Sequence, residues 1–326
     1  MSKNNKISEK FIINTYFKKL NHNKVESFDF KNDAAFLKVQ KNKKIIVTND
    51  SILQSVDFFK NDPPESIATK IITYNLSDIS SMGASPYAYT LSLCLPKNIK
   101  KIWLKKFSMK LKVLQKKYNF FLIGGDLSKS NKIILSSNFF GIAEKDKILQ
   151  RSGARINHDI WITGNIGESA IGLKIKQKKI KISSFYKKYF IKKYLYPMPS
   201  SVLIAYKINK YATSAIDVSD GFLGDLEKIT EQSNVGASIN SKLIPFSKKT
   251  KYLIKNKIVK INYLLTAGDD YEILFTASNK NSSKIKSLSK KNNIKITKVG
   301  KIIQKKGIFL DNKTIKIINK SFQHFS

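Results

Sequence analysis

The stretch Ser214–Glu227, SAIDVSDGFLGDLE, constrains the fold more than any other part of the sequence. The apolar run before Asp217 is typical of a strand, and residues 222–230 carry apolar side chains at helical spacing. The stretch therefore predicts a strand, a short turn and a helix. Asp217, Ser219 and Asp220 fall in the turn, where carboxylates can hold Mg²⁺ and backbone N–H groups can face phosphate. An ordinary helix N-cap at Ser219 or Asp220 is the alternative.

The distribution of charge points to the same kind of site. The chain has 60 Lys and Arg residues against 23 Asp and Glu, a net charge of +37. This balance is typical of nucleic-acid or anionic-membrane binding, but the lysines are spread widely, which favours a solvated surface and no nucleic-acid partner. Four stretches lack lysine yet contain much of the acid: 71–96, 118–128, 211–227 and 261–279. Burial would explain why lysine is absent from these stretches, but it would exclude unpaired carboxylates as well. Bound cations would account for both observations.

Size and cysteine content bound the class of protein. A chain of 326 residues with 42% hydrophobic residues predicts a globular protein, and its length favours two domains. Cys94 is the only cysteine, which excludes an internal disulfide and fits a reducing compartment. The amino terminus lacks the apolar core of a secretory signal, and no apolar stretch is long enough to cross a bilayer. We therefore expect a cytoplasmic protein without a membrane partner.

In the first half, aspartates accompany the apolar segments. The periodicity predicts helices over residues 8–20 and 63–83, and strands over residues 32–39, 43–50 and 120–126. Asp33 and Asp50 would lie at strand ends, where a turn role is the alternative. Asp78 lies on a lysine-free helix face, which favours it as a ligand over Asp33. Asp126 would end a buried strand behind Gly125, whose missing side chain would let a ligand approach or would serve a tight turn.

In the second half, Arg151 and Arg155 are the only arginines of the chain. Where any cation would serve, this sequence uses lysine, so two guanidinium groups predict forked donors for phosphate, or alternatively a structural pair with a carboxylate. The segment at residues 164–172, GNIGESAIG, lacks the final Lys-Ser/Thr of a P-loop, and no GxGxxG motif occurs. None of the three histidines has a metal-ligand spacing, and none stands near a plausible nucleophile, which argues against a Ser-His-Asp hydrolase.

Ten motifs together carry a resemblance to a known family. They are NDAAF, VTNDSILQSVDFF, NLSDISSMGASP, LIGGD, QRSGAR, HDIWITGNIGESAIGL, SAIDVSDGFLGDL, SNVGA, AGDDYEILF and SFQHF. In their order, over nearly the whole chain, they resemble the thiamine-monophosphate kinase family of the aminoimidazole-ribonucleotide-synthetase-like superfamily. The resemblance implies an α/β fold with mixed α+β sheets in two domains. Residues 1–147 would bind ATP and Mg²⁺ and pair in a homodimer, and residues 148–326 would complete the nucleotide and substrate site.

The resemblance also implies an activity and a set of site residues. The activity is Mg²⁺-dependent transfer of the ATP γ-phosphoryl group to thiamine monophosphate, giving thiamine diphosphate and ADP. No general base is expected, because the acceptor phosphate is largely ionised near neutral pH. The implied ligands of several Mg²⁺ ions are Asp33, Thr48, Asn49, Asp50, Asp78, Asp126, Asp217 and Asp220. The implied ATP contacts are Gly125, Asp126, Arg151 and Ser219, and the implied substrate contacts are Asp57, Asp269 and Phe322.

Departures from the family pattern fall at both the implied metal ligands and the implied substrate contacts. Lys31 and Asn32 stand where Gly-Asp is usual, and Asn49 replaces a usual Thr. Asp57 replaces a common His, and Asp269 shortens a usual Glu. The nearest enzymatic alternative is aminoimidazole ribonucleotide synthetase, against which DYEILF and the Phe-rich ending argue. A basic RNA-binding protein without catalysis is the alternative from another class.

Overall fold

This computed structural model describes residues 8–198 and 200–315, without the side chains of Ser200 and Ser201, and both strands and helices occur throughout. The strands are β1 Lys43–Leu53, β2 Ser85–Leu95, β3 Phe121–Lys129, β4 Ile134–Glu144, β5 Asp159–Thr163, β6 Ala212–Asp217, β7 Gly236–Ile239, β8 Ile273–Ala277, β9 Ile296–Ile303, β10 Gly307–Leu310 and β11 Lys313–Thr314. The α-helices are α1 Glu9–Ile12, α2 Pro64–Ser81, α3 Lys101–Tyr118, α4 Glu168–Lys176, α5 Ser184–Leu195, α6 Ala205–Ile208, α7 Phe222–Gln232, α8 Lys248–Lys255, α9 Ile261–Thr266 and α10 Ser282–Asn292. No helix in this described part is both long and apolar enough to cross a membrane.

The chain divides into two compact units. Unit 1 comprises Met1–Leu76 and Pro86–Ile142, and unit 2 comprises Ser77–Ser85 and Ala143–Ser326. The C-terminal turn of α2 therefore belongs to unit 2. The expected domain boundary between residues 147 and 148 stays a prediction.

Unit 1 is built on a four-stranded sheet with the order β1-β4-β2-β3. Strands β2 and β3 are parallel, so the chain crosses over between them, and α3 is that connection. The ring of Tyr89 in β2 stacks on Phe139 in β4, with 5.2 Å between ring centroids. Gln115 of α3 donates a hydrogen bond to the Tyr89 hydroxyl (3.2 Å), which ties the crossover helix to the sheet.

Three predictions for unit 1 are wrong. Residues 32–39 form no strand, so Asp33 lies in a loop; the amide of Phe36 donates instead to the carbonyl of Glu26 in a preceding helical turn (3.1 Å). Asp50 and Asp126 lie inside β1 and β3, three residues before each strand ends. The reason for Asp126 is tertiary, because β3 stays paired with β2 as far as Lys129.

Unit 2 contains a seven-stranded mixed sheet with the order β11-β10-β7-β9-β5-β8-β6. Helix α7 buries Phe222, Leu226 and Ile229 in the main hydrophobic core of this unit. Strand β6 ends at Asp217 and α7 begins at Phe222, so the strand–turn–helix prediction is confirmed. The turn lies at the edge strand of the sheet, where its side chains are not covered by a further strand of the described chain.

The first prediction concerns two adjacent glycines in β3. A Cβ on Gly125 would lie 2.0 Å from the carbonyl oxygen of Leu91, whereas a Cβ on Gly124 would meet nothing within 4 Å. Gly125→Ala should therefore lower the free energy of unfolding of unit 1 by about 1–3 kcal/mol, the usual cost of overpacking. Gly124→Ala is the matched control and should cost about 1 kcal/mol or less. Both substitutions are made in a Trp161→Phe background, so that the fluorescence of Trp103 in unit 1 reports guanidinium unfolding of that unit. Equal losses of stability for the two variants would contradict the prediction.

Candidate active site

Backbone hydrogen bonds pair the turn after β6 with the segment before β8. The amide of Val218 donates to the carbonyl of Glu272 (2.8 Å), and the amides of Asp269 and Tyr271 donate to the carbonyls of Ser219 and Val218 (2.9 and 2.8 Å). A Cβ on Gly268 would lie 1.9 Å from the Ser219 carbonyl oxygen, so a side chain there would prevent this pairing. The pairing brings the predicted residues Ser219 and Asp269 together.

Asp217 is the most buried of the predicted metal ligands in unit 2. Its side chain accepts a hydrogen bond from the Ser77 hydroxyl (2.9 Å). The pKa of Asp217 is raised to about 7, first by burial and then by the neighbouring Asp78 carboxylate. The Ser77 hydrogen bond and Arg151 lower this pKa, and Asp220 raises it. The structure therefore places Asp78, Asp220 and Arg151 each within electrostatic range of Asp217.

Asp220 is neutralised by a lysine that the sequence patterns did not single out. The Lys228 ammonium lies 2.5 Å from Asp220 Oδ2 and 2.8 Å from Oδ1 of the fully buried Asp225. Asp225 also accepts the backbone N–H of Asp220 (3.0 Å), so the three residues form a closed network. Burial raises the pKa of Asp225 to about 7, and Lys228 opposes that shift. Lys228 is the first residue after the lysine-free stretch 211–227. The absence of lysine in that stretch indicated the carboxylates but could not indicate their counter-ion.

The site residues of unit 1 fall into two groups. Asp33, Gly125 and Asp126 line one cavity of about 350 Å³. Asp126 also accepts a hydrogen bond from the Ser128 hydroxyl (2.8 Å). Gly125 lies inside β3 and not in the tight turn that the sequence allowed as the alternative; its glycine is explained by the close approach of Leu91. The cavity thus combines two carboxylates with a strand that cannot carry a side chain at Gly125.

The second group in unit 1 is Thr48, Asn49 and Asp50 in β1. The side-chain amide of Asn49 donates to the carbonyl of Ser137 (3.1 Å) and to Asn138 Oδ1 (2.9 Å), both in β4. Strands β1 and β3 are at opposite edges of the sheet, three strand spacings or about 14 Å apart. The sheet of a single copy therefore does not bring this group to Asp126.

The predicted substrate residues already have intramolecular partners. Asp57 Oδ2 accepts the amide of Leu53 (2.7 Å), and its carbonyl accepts the Lys70 ammonium (2.7 Å). Asp269 adopts a left-handed backbone conformation (φ 69°) and accepts the hydroxyl of Tyr271 (2.7 Å). Phe322 lies outside the described residues. A substrate at Asp57 or Asp269 would have to share these carboxylates with their present donors.

The fold and the site define the class of the protein. Residues 31–143 match the AIR synthase related protein N-terminal domain, and residues 159–312 match the C-terminal domain of the same description. The protein is thus an AIR synthase related protein with both domains. It is 38% identical to the thiamine-monophosphate kinase of Buchnera aphidicola subsp. Acyrthosiphon pisum, over 98% of this chain and 99% of that one. The chain belongs to the thiamine-monophosphate kinase family, and the resemblance of its motifs is confirmed.

Further comparisons agree. The thiamine-monophosphate kinase of Escherichia coli (strain K12) is 32% identical over 81% of both chains. The crystal structure of thiamine-monophosphate kinase from Stenotrophomonas maltophilia K279a matches with a TM-score of 0.81 at 29% identity, covering 87% of this chain and 90% of that one. AaThiL complexed with AMPPCP and TMP matches with a TM-score of 0.78 at 27% identity, covering 88% of this chain and 89% of that one. These matches confirm the predicted α/β fold with mixed sheets.

The second prediction concerns the raised pKa of Asp217. A carboxyl whose folded pKa of about 7 lies above its ordinary value of 3.8 contributes stability that is complete below 3.8 and is lost as the pH rises through 7. In buffer with EDTA, Asp217→Asn should therefore gain stability relative to the unsubstituted protein between pH 5 and pH 8. The gain from pH 5 to pH 8 is about 3 kcal/mol, from the roughly two pH units between pH 5 and the pKa of about 7, at 1.36 kcal/mol each.

Urea unfolding at both pH values measures this gain. The matched control is Asp311→Asn. Hydrogen bonds from Ser241 lower the pKa of Asp311, so its contribution is lost only on acidification below the ordinary range. Its stability difference should stay constant between pH 5 and pH 8. A pH-independent difference for Asp217→Asn as well would show that this carboxyl ionises without penalty.

Proposed function

We propose that this protein transfers the γ-phosphoryl group of ATP to the phosphate of thiamine monophosphate, giving thiamine diphosphate and ADP. The observation that carries the proposal is the convergence of Asp78, Asp217, Asp220 and Arg151 at the end of β6, in a chain of this family. Carboxylates beside a guanidinium suit a reaction between two phosphorylated molecules, which needs cations far more than it needs a base.

We propose Mg²⁺ as the metal. Within residues 8–198 and 200–315 no three His, Cys, Asp or Glu side chains are arranged to hold a metal ion by themselves. Mg²⁺ does not require such a cage, because it keeps several waters and is bound by one or two carboxylates together with substrate phosphates. The buried, raised-pKa carboxylate of Asp217 fits such a role, since a cation would offset the repulsion from Asp78 and Asp220. When bound, Mg²⁺ would neutralise phosphate charge and align in-line attack.

The proposed metal ligands in unit 2 are Asp78, Asp217 and Asp220, and those in unit 1 are Asp33, Thr48, Asn49, Asp50 and Asp126. Asp220 would have to exchange its pairing with the Lys228 ammonium for the metal. Without a cation, the pKa of about 7 allows the Asp217 carboxyl to be protonated near neutral pH. A bound cation would favour its ionised form.

The proposed ATP contacts are Gly125 and Asp126 in unit 1 and Arg151 and Ser219 in unit 2. Ser219 lies two residues before Gly221, the N-cap of α7, which supplies no side chain to the first-turn amides. Those N–H groups and the helix dipole favour an anion at this end of the helix. Arg151 offers forked donors that match phosphate oxygens. Asp57, Asp269 and Phe322 are the proposed thiamine contacts.

The test is incubation of the purified protein with ATP, Mg²⁺ and thiamine monophosphate, scored for thiamine diphosphate. Asp220→Asn and Asp126→Asn should each lower kcat by about 100-fold or more, because they remove charge that the transition state requires. The surface substitution Asp311→Asn should leave turnover unchanged, and circular dichroism should show that all three variants are folded. Unchanged turnover of the first two variants at saturating Mg²⁺ would refute their metal roles.

We also propose a cytoplasmic homodimer that pairs through unit 1. The single cysteine, Cys94, is free and half-buried, which suits a reducing compartment. The four-stranded sheet leaves β1 and β3 as edges, without a further strand in the described part of the chain. Edge strands offer unpaired backbone groups to a second copy. On β1, the side chain of Val47 is 60% exposed and is therefore available for such a contact.

Sedimentation analysis should therefore give a mass of twice 37.1 kDa. Val47→Lys should shift the equilibrium toward the monomer, because it places a charge on the proposed contact edge. Val113→Lys is the matched control: Val113 is 58% exposed, but it lies on α3 and should not affect association. A monomeric mass at all concentrations would overturn the dimer.

A further inference from the structure

Asp220, Asp225 and Lys228 form a charged network at the turn after β6, and only Asp220 has a role in the function proposed above. Asp225 lies in the first turn of α7, and Lys228 lies three residues further along the same helix. The apolar face of α7 packs in the core of unit 2, so the helix holds both side chains beside the turn. The network therefore has a fixed position next to a proposed metal ligand.

Asp225 uses both of its carboxylate oxygens inside the protein. Oδ2 accepts the backbone N–H of Asp220 (3.0 Å), and Oδ1 lies 2.8 Å from the Lys228 ammonium. The side chain is 0% exposed, and a buried carboxylate that loses its counter-ion is strongly destabilising. Asp225 therefore requires a cation at all times, and Lys228 supplies it.

Asp220 depends less on the same ammonium. Its Oδ2 lies 2.5 Å from Lys228 Nζ, but its side chain is 35% exposed. Because water reaches this carboxylate, it loses less than Asp225 would if the ammonium moved away. Lys228 thus has one partner that it must keep and one that it can release.

The charges around the turn favour a further cation. After burial and the opposing effect of Lys228, the negative charges of Asp217 and Asp220 also raise the pKa of Asp225. The single ammonium balances one of these three carboxylates. A divalent cation would relieve the rest, but it would meet the ammonium at Asp220, and two cations on one carboxylate repel each other. The two cations therefore compete for Asp220.

We propose that Lys228 is the cation that a divalent metal ion displaces from Asp220, and that Asp225 retains Lys228 after the displacement. The inference rests on the metal role proposed above for Asp220. Lys228 is then a positioning residue, which neutralises Asp220 before the metal binds and lowers the affinity for the metal by competition. Asp225 limits this competition, because it gives the ammonium a partner that remains after the exchange. The pair thus sets the metal concentration at which the site fills.

The experiment measures binding of Mn²⁺, which prefers the same oxygen ligands as Mg²⁺, without nucleotide or thiamine monophosphate. Electron paramagnetic resonance of the free ion gives the Kd. Asp220→Asn identifies the binding that involves Asp220, because this part of the Mn²⁺ binding should be lost in that variant. The other variants are compared for this part alone.

Two changes at the pair should have opposite effects. Lys228→Met combined with Asp225→Asn removes the ion pair without changing the net charge and frees Asp220. Mn²⁺ should then bind about 5-fold more tightly, the most that a partly exposed ion pair usually contributes. Asp225→Asn alone leaves Lys228 to Asp220 and removes a neighbouring negative charge, so binding should weaken at least about 5-fold. A merely structural role of the pair would weaken binding in both variants.

The matched control is Lys298→Met combined with Asp159→Asn, which removes another lysine paired with a fully buried aspartate (2.6 Å). Asp159 pairs with Ala277 of β8, whereas Asp217 pairs with Ile273, four residues or about 14 Å away along the strand. The control pair therefore lies far from the turn. Mn²⁺ binding should not change in this variant.

Circular dichroism checks that each variant is folded. If the double variant at Lys228 does not fold, Lys228→Gln replaces it; this change keeps a donor for Asp225, removes the competing charge and should likewise tighten Mn²⁺ binding. Unchanged or weaker binding without Lys228, or unchanged or tighter binding in Asp225→Asn, would overturn the inference alone. Unchanged Mn²⁺ binding in Asp220→Asn would overturn the proposed metal role of Asp220 and this inference with it. Absence of thiamine diphosphate formation would overturn the proposed function, so the failures are distinguishable.

Discussion

The backbone pairing between residues 218–219 and residues 269–272 is the constraint on which two acidic clusters of unit 2 depend, one around Asp217 and one around Glu272. These hydrogen bonds use main-chain groups, so they position both segments without using the side chains. Asp217 precedes one segment, and Asp270 lies within the other. The glycines Gly221 and Gly268 make the approach possible, since a Cβ on either would lie within 2.6 Å of the facing backbone. The acidic residues are thus gathered by a rigid backbone and not by attraction among themselves, which would be repulsive.

Each cluster includes one lysine that compensates only part of its charge. Lys228 is paired with Asp220 and Asp225, and Lys193 is paired with Glu168. Burial, and next the negative charge of Asp78, raise the pKa of Asp217 to about 7. The large excess of lysine elsewhere does not remove this local deficit, because exposed charges beyond about 10 Å are screened by salt. Local composition, more than the net charge of +37, therefore decides what the sites attract.

The sequence predicted those features that depend on local periodicity and failed where tertiary pairing decides. The helix at residues 63–83 and the β6–α7 unit were predictable, since an amphipathic pattern and Pro or Gly at the ends specify them. That Asp126 lies inside β3 follows from the partner strand β2, which no pattern around Asp126 reveals.

The two clusters of unit 2 differ in the cations beside their carboxylates. The cluster at Asp217 has Arg151 beside it and a helix N-terminus behind Gly221, so it suits phosphate held through a cation. The cluster at Glu272 has Lys193 and no arginine among the residues that line its cavity. Because one backbone pairing fixes both, a change that displaces residues 218–219 from residues 269–272 would disturb both clusters together.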